Sequence, residues 1–112
     1  MAAYIELVID QGTTFNNIIN ITDDVTNAAV NVSGYSFESQ IRRSYYSANI
    51  TANITCSINN AANGEVTMNM TAANTANIKP GRYVFDVKSI DTFDVVNRIL
   101  EGIITINPSV TK

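Results

Sequence analysis

The chain has 112 residues, enough for one domain spanning 1–112 with a core of its own and no need of disulfide or metal staples. Hydrophobic residues make up 46% and charged residues only 15%, which excludes the highly charged kind of disorder. A net charge of −3, with no basic run longer than Arg42-Arg43, argues against nucleic acid as a partner, since phosphates call for a Lys/Arg stripe.

No apolar run approaches the roughly 20 residues that span a bilayer, so no membrane is expected. The start, MAAYIELVIDQG, lacks the basic residues of a secretory signal. Synthesis in a cytoplasm without export by that route is therefore expected, and the single Cys56 cannot close an internal bridge. Asn and Thr fill the place of the missing charges. A polar, weakly charged surface of this kind suits burial against neighbouring molecules.

Tyr4–Ile9 is a short apolar run with Glu6 inside it and reads as a first strand. Asp10-Gln11-Gly12 is a turn or bulge, because glycine tolerates positive φ. Thr13–Thr22 resumes as strand, with Phe15, Ile19 and Ile21 on one parity and the adjacent Ile18 marking a bulge. In Thr22–Ser33, Asp23-Asp24 is the expected tip, and Val30 and Val32 make a brief edge contact.

Tyr35–Arg42 alternates with Tyr35, Phe37 and Ile41 inward. Ser44–Ala48 is a polar, tyrosine-bearing loop. Asn49–Ile58 gives the cleanest alternation, with Ile50, Ala52, Ile54, Cys56 and Ile58 on one face. Asn59–Gly64 is a turn whose Asn63-Gly64 pair favours φ > 0, and Glu65–Met70 places Val66, Met68 and Met70 inward. Thr71–Ile78 is the one helical turn, capped by Thr71 and ended at Lys79-Pro80-Gly81.

Arg82–Ile90 and Val95–Asn107 then form a hairpin across the polar link Asp91–Asp94, with Tyr83, Phe85 and Val87 facing the core. About seven strands of five to ten residues and no long helix make an antiparallel, immunoglobulin-like β-sandwich. Tyr83, just past a Pro-Gly turn, takes the tyrosine-corner position of such folds, its hydroxyl directed to a backbone group near Thr75–Ile78.

Chemistry is harder to find. The absence of histidine removes the Ser-His-Asp and Cys-His nucleophile systems and the commonest transition-metal ligand. Cys56 sits among inward isoleucines and reads as a small hydrophobe. Asp23-Asp24 and Asp91/Asp94 offer two carboxylates each, which turn chemistry explains better than calcium with its six or more oxygens. N-x-Ser/Thr triplets at Asn20, Asn31, Asn49, Asn53 and Asn69 are chance products of an Asn/Thr-rich chain. No catalytic residue, cofactor or metal is expected. Arg42, Arg43, Tyr45 and Tyr46 are the candidate contact surface, since arginine and aromatics are favoured at interfaces.

Three stretches carry a resemblance to a known family: Gln11-Gly12-Thr13-Thr14-Phe15, the run from Thr75 through Pro80-Gly81-Arg82-Tyr83 to Val87, and the run from Arg98 through Glu101-Gly102 to Pro108 and Thr111. In this order they resemble small virion proteins of tailed bacteriophages, closest to those of T4-like phages of marine cyanobacteria. They are also similar to the N-terminal domains of some phage baseplate proteins. The family's central tyrosine-aspartate pair stands here as Phe85-Asp86. The resemblance implies a non-enzymatic structural protein of a head, neck or tail, located on the virion. Its partners would be other virion proteins and its own copies, met through interfaces and edge-strand pairing. The alternative is a carbohydrate-binding adsorption module, with Tyr45, Tyr46 and Phe93 as aromatics and Asn49 or Asp94 as polar partners.

Overall fold

The structure, a computed structural model, describes residues 3–23, 26 and 28–110. Asp24 and Thr111, named above, lie outside them. Among the described residues the strands are β1 (Ala3–Asp10), β2 (Phe15–Asn20), β3 (Ser36–Arg42), β4 (Ala52–Asn53), β5 (Thr55–Asn60), β6 (Glu65–Met70), β7 (Gly81–Ile90) and β8 (Val96–Asn107). A helical turn, α1 (Ala72–Ala76), joins β6 to β7, and a 3-10 turn at Ala61–Asn63 joins β5 to β6.

Two sheets form, β1-β8-β7-β3-β4 and β2-β6-β5. Their inward side chains meet in one core, which includes Phe15, Ile41, Met68, Phe85, Val87 and Ile104. Each such side chain contributes about 2 kcal/mol on leaving water. A three-stranded sheet facing one built on β8-β7-β3 has the arrangement of immunoglobulin-like sandwiches. The chain is an all-β sandwich of that kind.

One pairing departs from the antiparallel rule: β1 runs parallel to β8, with Ile5 opposite Gly102 and Ile9 opposite Ile106. The cause lies in the connection. At Asp10–Thr13 the chain leaves the five-stranded sheet for β2 of the other, so no hairpin ties β1 to its neighbour's direction. That turn is closed by the Thr13 hydroxyl donating to Asp10 O (2.6 Å), with Gly12 at φ +80°.

The stretch Asn49–Ile58, expected as one strand, serves both sheets. Thr51 N–H donates to Ile41 O (2.8 Å) and Ile54 N–H to Ser39 O (3.0 Å), so the chain first follows β3. From Thr55, opposite Asn69, it pairs with β6 instead. Ile54, 4% exposed, fills the corner between the sheets. Ile50 and Ile58, expected inward, are 43% and 38% exposed at the two ends of the crossing. Ile18 marks no bulge either: it faces Thr67 in an unbroken register and is 54% exposed.

The three stretches that carry the family resemblance converge at one end of the sandwich. The Gln11 side-chain amide donates to Ile78 O (3.0 Å), and its Oε1 accepts from Ser109 N–H (3.3 Å). Thr75, fully buried on α1, donates its hydroxyl to Thr13 O (2.7 Å). Tyr83 closes the β6–β7 corner by donating to Lys79 O (2.6 Å). The acceptor falls one residue beyond the expected 75–78, and the Ile78 carbonyl instead accepts from Gln11.

At the opposite end, the Asp91 carboxylate accepts from Phe93 N–H (2.8 Å) and Val95 N–H (2.9 Å), which shapes the β7–β8 turn. Asp23 Oδ1 accepts from Thr26 N–H (3.1 Å) in the same manner. Among the described residues no three His, Cys, Asp or Glu side chains come together.

Candidate functional site

The outer face of the five-stranded sheet gathers most of the chain's chemistry-bearing side chains. Alternation alone puts Gln40 and Arg42 of β3 there, opposite Asp86 and Val84 of β7, with Lys88 opposite Glu38. Arg98 arrives by a different device. Between Val87 and Lys88 the β7–β8 register shifts, leaving Ile99 as an extra residue on β8. A bulge re-aims the side chains beyond it. Arg98, which strict alternation from Leu100 would point into the core, pairs with Lys88 and turns outward.

These residues surround a shallow hollow of about 220 Å³, lined by Gln40, Arg42, Tyr45, Val84, Lys88 and Arg98, with Asp86 between them. Arg98 is matched, its Nε 3.4 Å from Asp86 Oδ2 and its terminal nitrogen 3.0 Å from Glu101 Oε2. Arg42 is held by neutral acceptors instead, donating to Ser47 O (2.9 Å) and Gln40 Oε1 (3.1 Å). Among the described residues no carboxylate lies within ion-pair distance of Arg42 or Lys88, so the hollow keeps a surplus of positive charge.

Tyr45 and Tyr46 are the central residues of a turn in which Ser47 N–H donates to Ser44 O (3.2 Å). Tyr45 leans over the sheet, 58% exposed. Across the face, the Tyr4 hydroxyl donates to Glu6 (3.3 Å). Its pKa is raised by desolvation, by Glu6 and by Tyr45, with Arg82 acting the other way.

The four contact candidates therefore do not make one patch. Arg42 and Tyr45 share the hollow. Arg43 turns away, its guanidinium 5.2 Å from the centre of the Tyr83 ring, and Tyr46 stands free at 98% exposure. The grouping of Tyr45, Tyr46 and Asn49 with Phe93 or Asp94 is not assembled. Phe93 and Asp94 sit in the β7–β8 turn beside the start of β3, where Ser36 faces Ile90, whereas the tyrosines follow its end. The length of β3 separates them, about 20 Å at 3.3 Å per residue. Lys88 and Arg98 belong to the hollow and were not foreseen. The adjacent apolar pair Ile99-Leu100, beside an arginine on the buried parity, is the sequence signal that marks the bulge. Cys56 is core-facing, and burial pushes its thiol up to about 11, which leaves it a poor nucleophile at neutral pH.

The lateral edges differ from each other. On one side, β4 is two residues long and β5 breaks register between Ile58 and Asn60. Short and bulged edge strands are the usual guards against edge-to-edge pairing. On the other side, β1 runs eight residues in unbroken register, AYIELVID, with neither Lys nor Pro. Gln11 N–H donates to Asn107 O (2.9 Å), so alternation leaves the N–H and C=O groups of Tyr4, Glu6 and Val8 on the open edge. Tyr4 and Val8 are 55% and 65% exposed.

No family model matches the chain, and no curated protein does. Among solved structures it is similar to the sialic acid binding region of a Streptococcus sanguinis SK1 adhesin bound to 3'sLn, at 17% identity and TM-score 0.52, over 93% of this chain and 28% of that one. It is also similar to a point variant of the SrpA adhesin from Streptococcus sanguinis, at 13% identity and TM-score 0.51, over 97% of this chain and 56% of that one. An internalin-like protein of Listeria monocytogenes matches at 15% identity and TM-score 0.48, over 95% and 28%. The chain thus spans from 28% to 56% of these three structures. At such identities the likeness is one of fold.

Proposed function

We propose that the chain is a non-enzymatic building block of a tailed-phage particle that acts through protein–protein interfaces. The observation that carries this reading is the asymmetry of the edges. One lateral side is blunted, while β1 presents a long strand in unbroken register, with free backbone groups and exposed Tyr4 and Val8. Such an edge gains a full ladder of hydrogen bonds when a neighbouring subunit adds a strand. The family resemblance supports the phage setting, and the lack of histidine supports a non-enzymatic role. Its partners are other virion proteins and further copies of itself, and its place is the virion.

Light scattering of the purified chain over a concentration series tests this reading. Association into a discrete oligomer, or co-purification with a capsid or tail protein, is expected. A monomer at every concentration that also captures no virion protein would count against it.

Carbohydrate adsorption is the second reading. It is favoured by the hollow that unites Tyr45, Gln40 and an unmatched Arg42. One protein of similar fold is itself described as a sialic acid binding region.

A further inference from the structure

We infer that the hollow between β3, β7 and β8 is a subsite for a carboxylated saccharide, with Arg42 as the carboxylate-binding group and Tyr45 as the sugar platform. The inference rests on the carbohydrate reading and is independent of the β1 edge. Two of the five guanidinium N–H donors of Arg42 are spent on Ser47 O and Gln40 Oε1, which fix the plane of the group. Three remain for a ligand, and a planar fork of donors matches a carboxylate. Because its fixed acceptors are neutral, the charge of Arg42 stays unspent.

The neighbours decide what accompanies the carboxylate. Tyr45 and the Val84 floor offer apolar surface to the C–H face of a sugar ring, and Gln40 and Asp86 offer acceptors to hydroxyls. A bare phosphate dianion fits less well. The hollow lies over strands paired on both sides, whose backbone N–H groups are already engaged, so no nest of backbone donors is free for the phosphate oxygens. At about 220 Å³ the space suits one sugar ring and not an extended chain.

The test is a titration of the isotope-labelled chain, followed by amide shifts, with N-acetylneuraminic acid, its neutral methyl ester, N-acetylglucosamine, sodium acetate and a glutamate-containing peptide. The acid sugar should shift amides of residues 40–42 and 84–88 at millimolar concentration. The methyl ester should bind about tenfold more weakly or worse, as for loss of a charged hydrogen bond. Arg42→Gln should lose binding to the same degree, and Tyr45→Ala severalfold, both with an otherwise unchanged spectrum.

Acetate or the peptide binding as tightly as the acid sugar would overturn the saccharide assignment. Full affinity in Arg42→Gln, shifts confined to other residues, or no binding would overturn the site. Binding of N-acetylglucosamine elsewhere on the chain, with no response of the hollow to the acid sugar, would sink this inference and leave the carbohydrate reading standing. None of these outcomes bears on association through β1.

Discussion

Tyr83 does two things with one side chain. Its ring, 4% exposed, packs in the core and carries Arg43 on its face, while its hydroxyl pins the Lys79 carbonyl at the corner that turns β6 into β7. Tyr83→Phe keeps the first role and removes the second. The change should cost about 1 kcal/mol, the net worth of one intramolecular hydrogen bond. For a domain of this size that is roughly 4–5 °C in melting temperature, read by circular dichroism. An unchanged melt would mean that the hydroxyl does not hold the corner. The role was legible because Pro80-Gly81-Arg82-Tyr83 fixes a turn before a strand. Its acceptor was not, because which carbonyl comes within reach depends on how the corner packs, including the tie from Gln11, 67 residues away from Ile78. A polar side chain that ties together three distant segments leaves no local pattern.

The strands themselves were legible wherever one sheet face meets the core, since burial imposes a period of two. That rule says nothing of which sheet a strand joins or which way its neighbour runs. It therefore passed smoothly over Ile54, where β4 gives way to β5, and could not show that β1 lies parallel to β8. It also failed at Ile99, where the bulge inverts the faces and delivers Arg98 to the hollow.

The β1–β8 contact depends on Gly102, where a Cβ would run into the Ile5 carbonyl oxygen. A backbone clash cannot be relieved by a rotamer change, so Gly102→Ala should push β1 off the sheet and cost about 3 kcal/mol, the upper range for overpacking. Hydrogen exchange locates the effect. Amides of β1 should lose protection while those shared by β3 and β7 keep theirs, and uniform loss would contradict a local displacement.

At the scale of the whole molecule, the sandwich has a closed side and an open side, and the two can be told apart by where a charge matters. Lysine in the middle of an edge strand is a common natural guard against pairing, because its ammonium must be desolvated if another strand is added. Val8→Lys places that guard on β1. Val8 is 65% exposed and its side chain points off the sheet, so the fold should keep its stability within about 0.5 kcal/mol. Ser57→Lys places the same charge on β5, an edge already shortened by its register break.

If the chain assembles through β1, light scattering should show association weakened about tenfold or more by Val8→Lys and left intact by Ser57→Lys. Arg42→Gln should leave association unchanged, since it lies on the face of the sheet and away from its edge. Equal loss in both lysine variants would point to a general effect of added charge. Loss in Ser57→Lys alone would move the interface to the blunted side, where the edge is split between two-residue β4 and bulged β5.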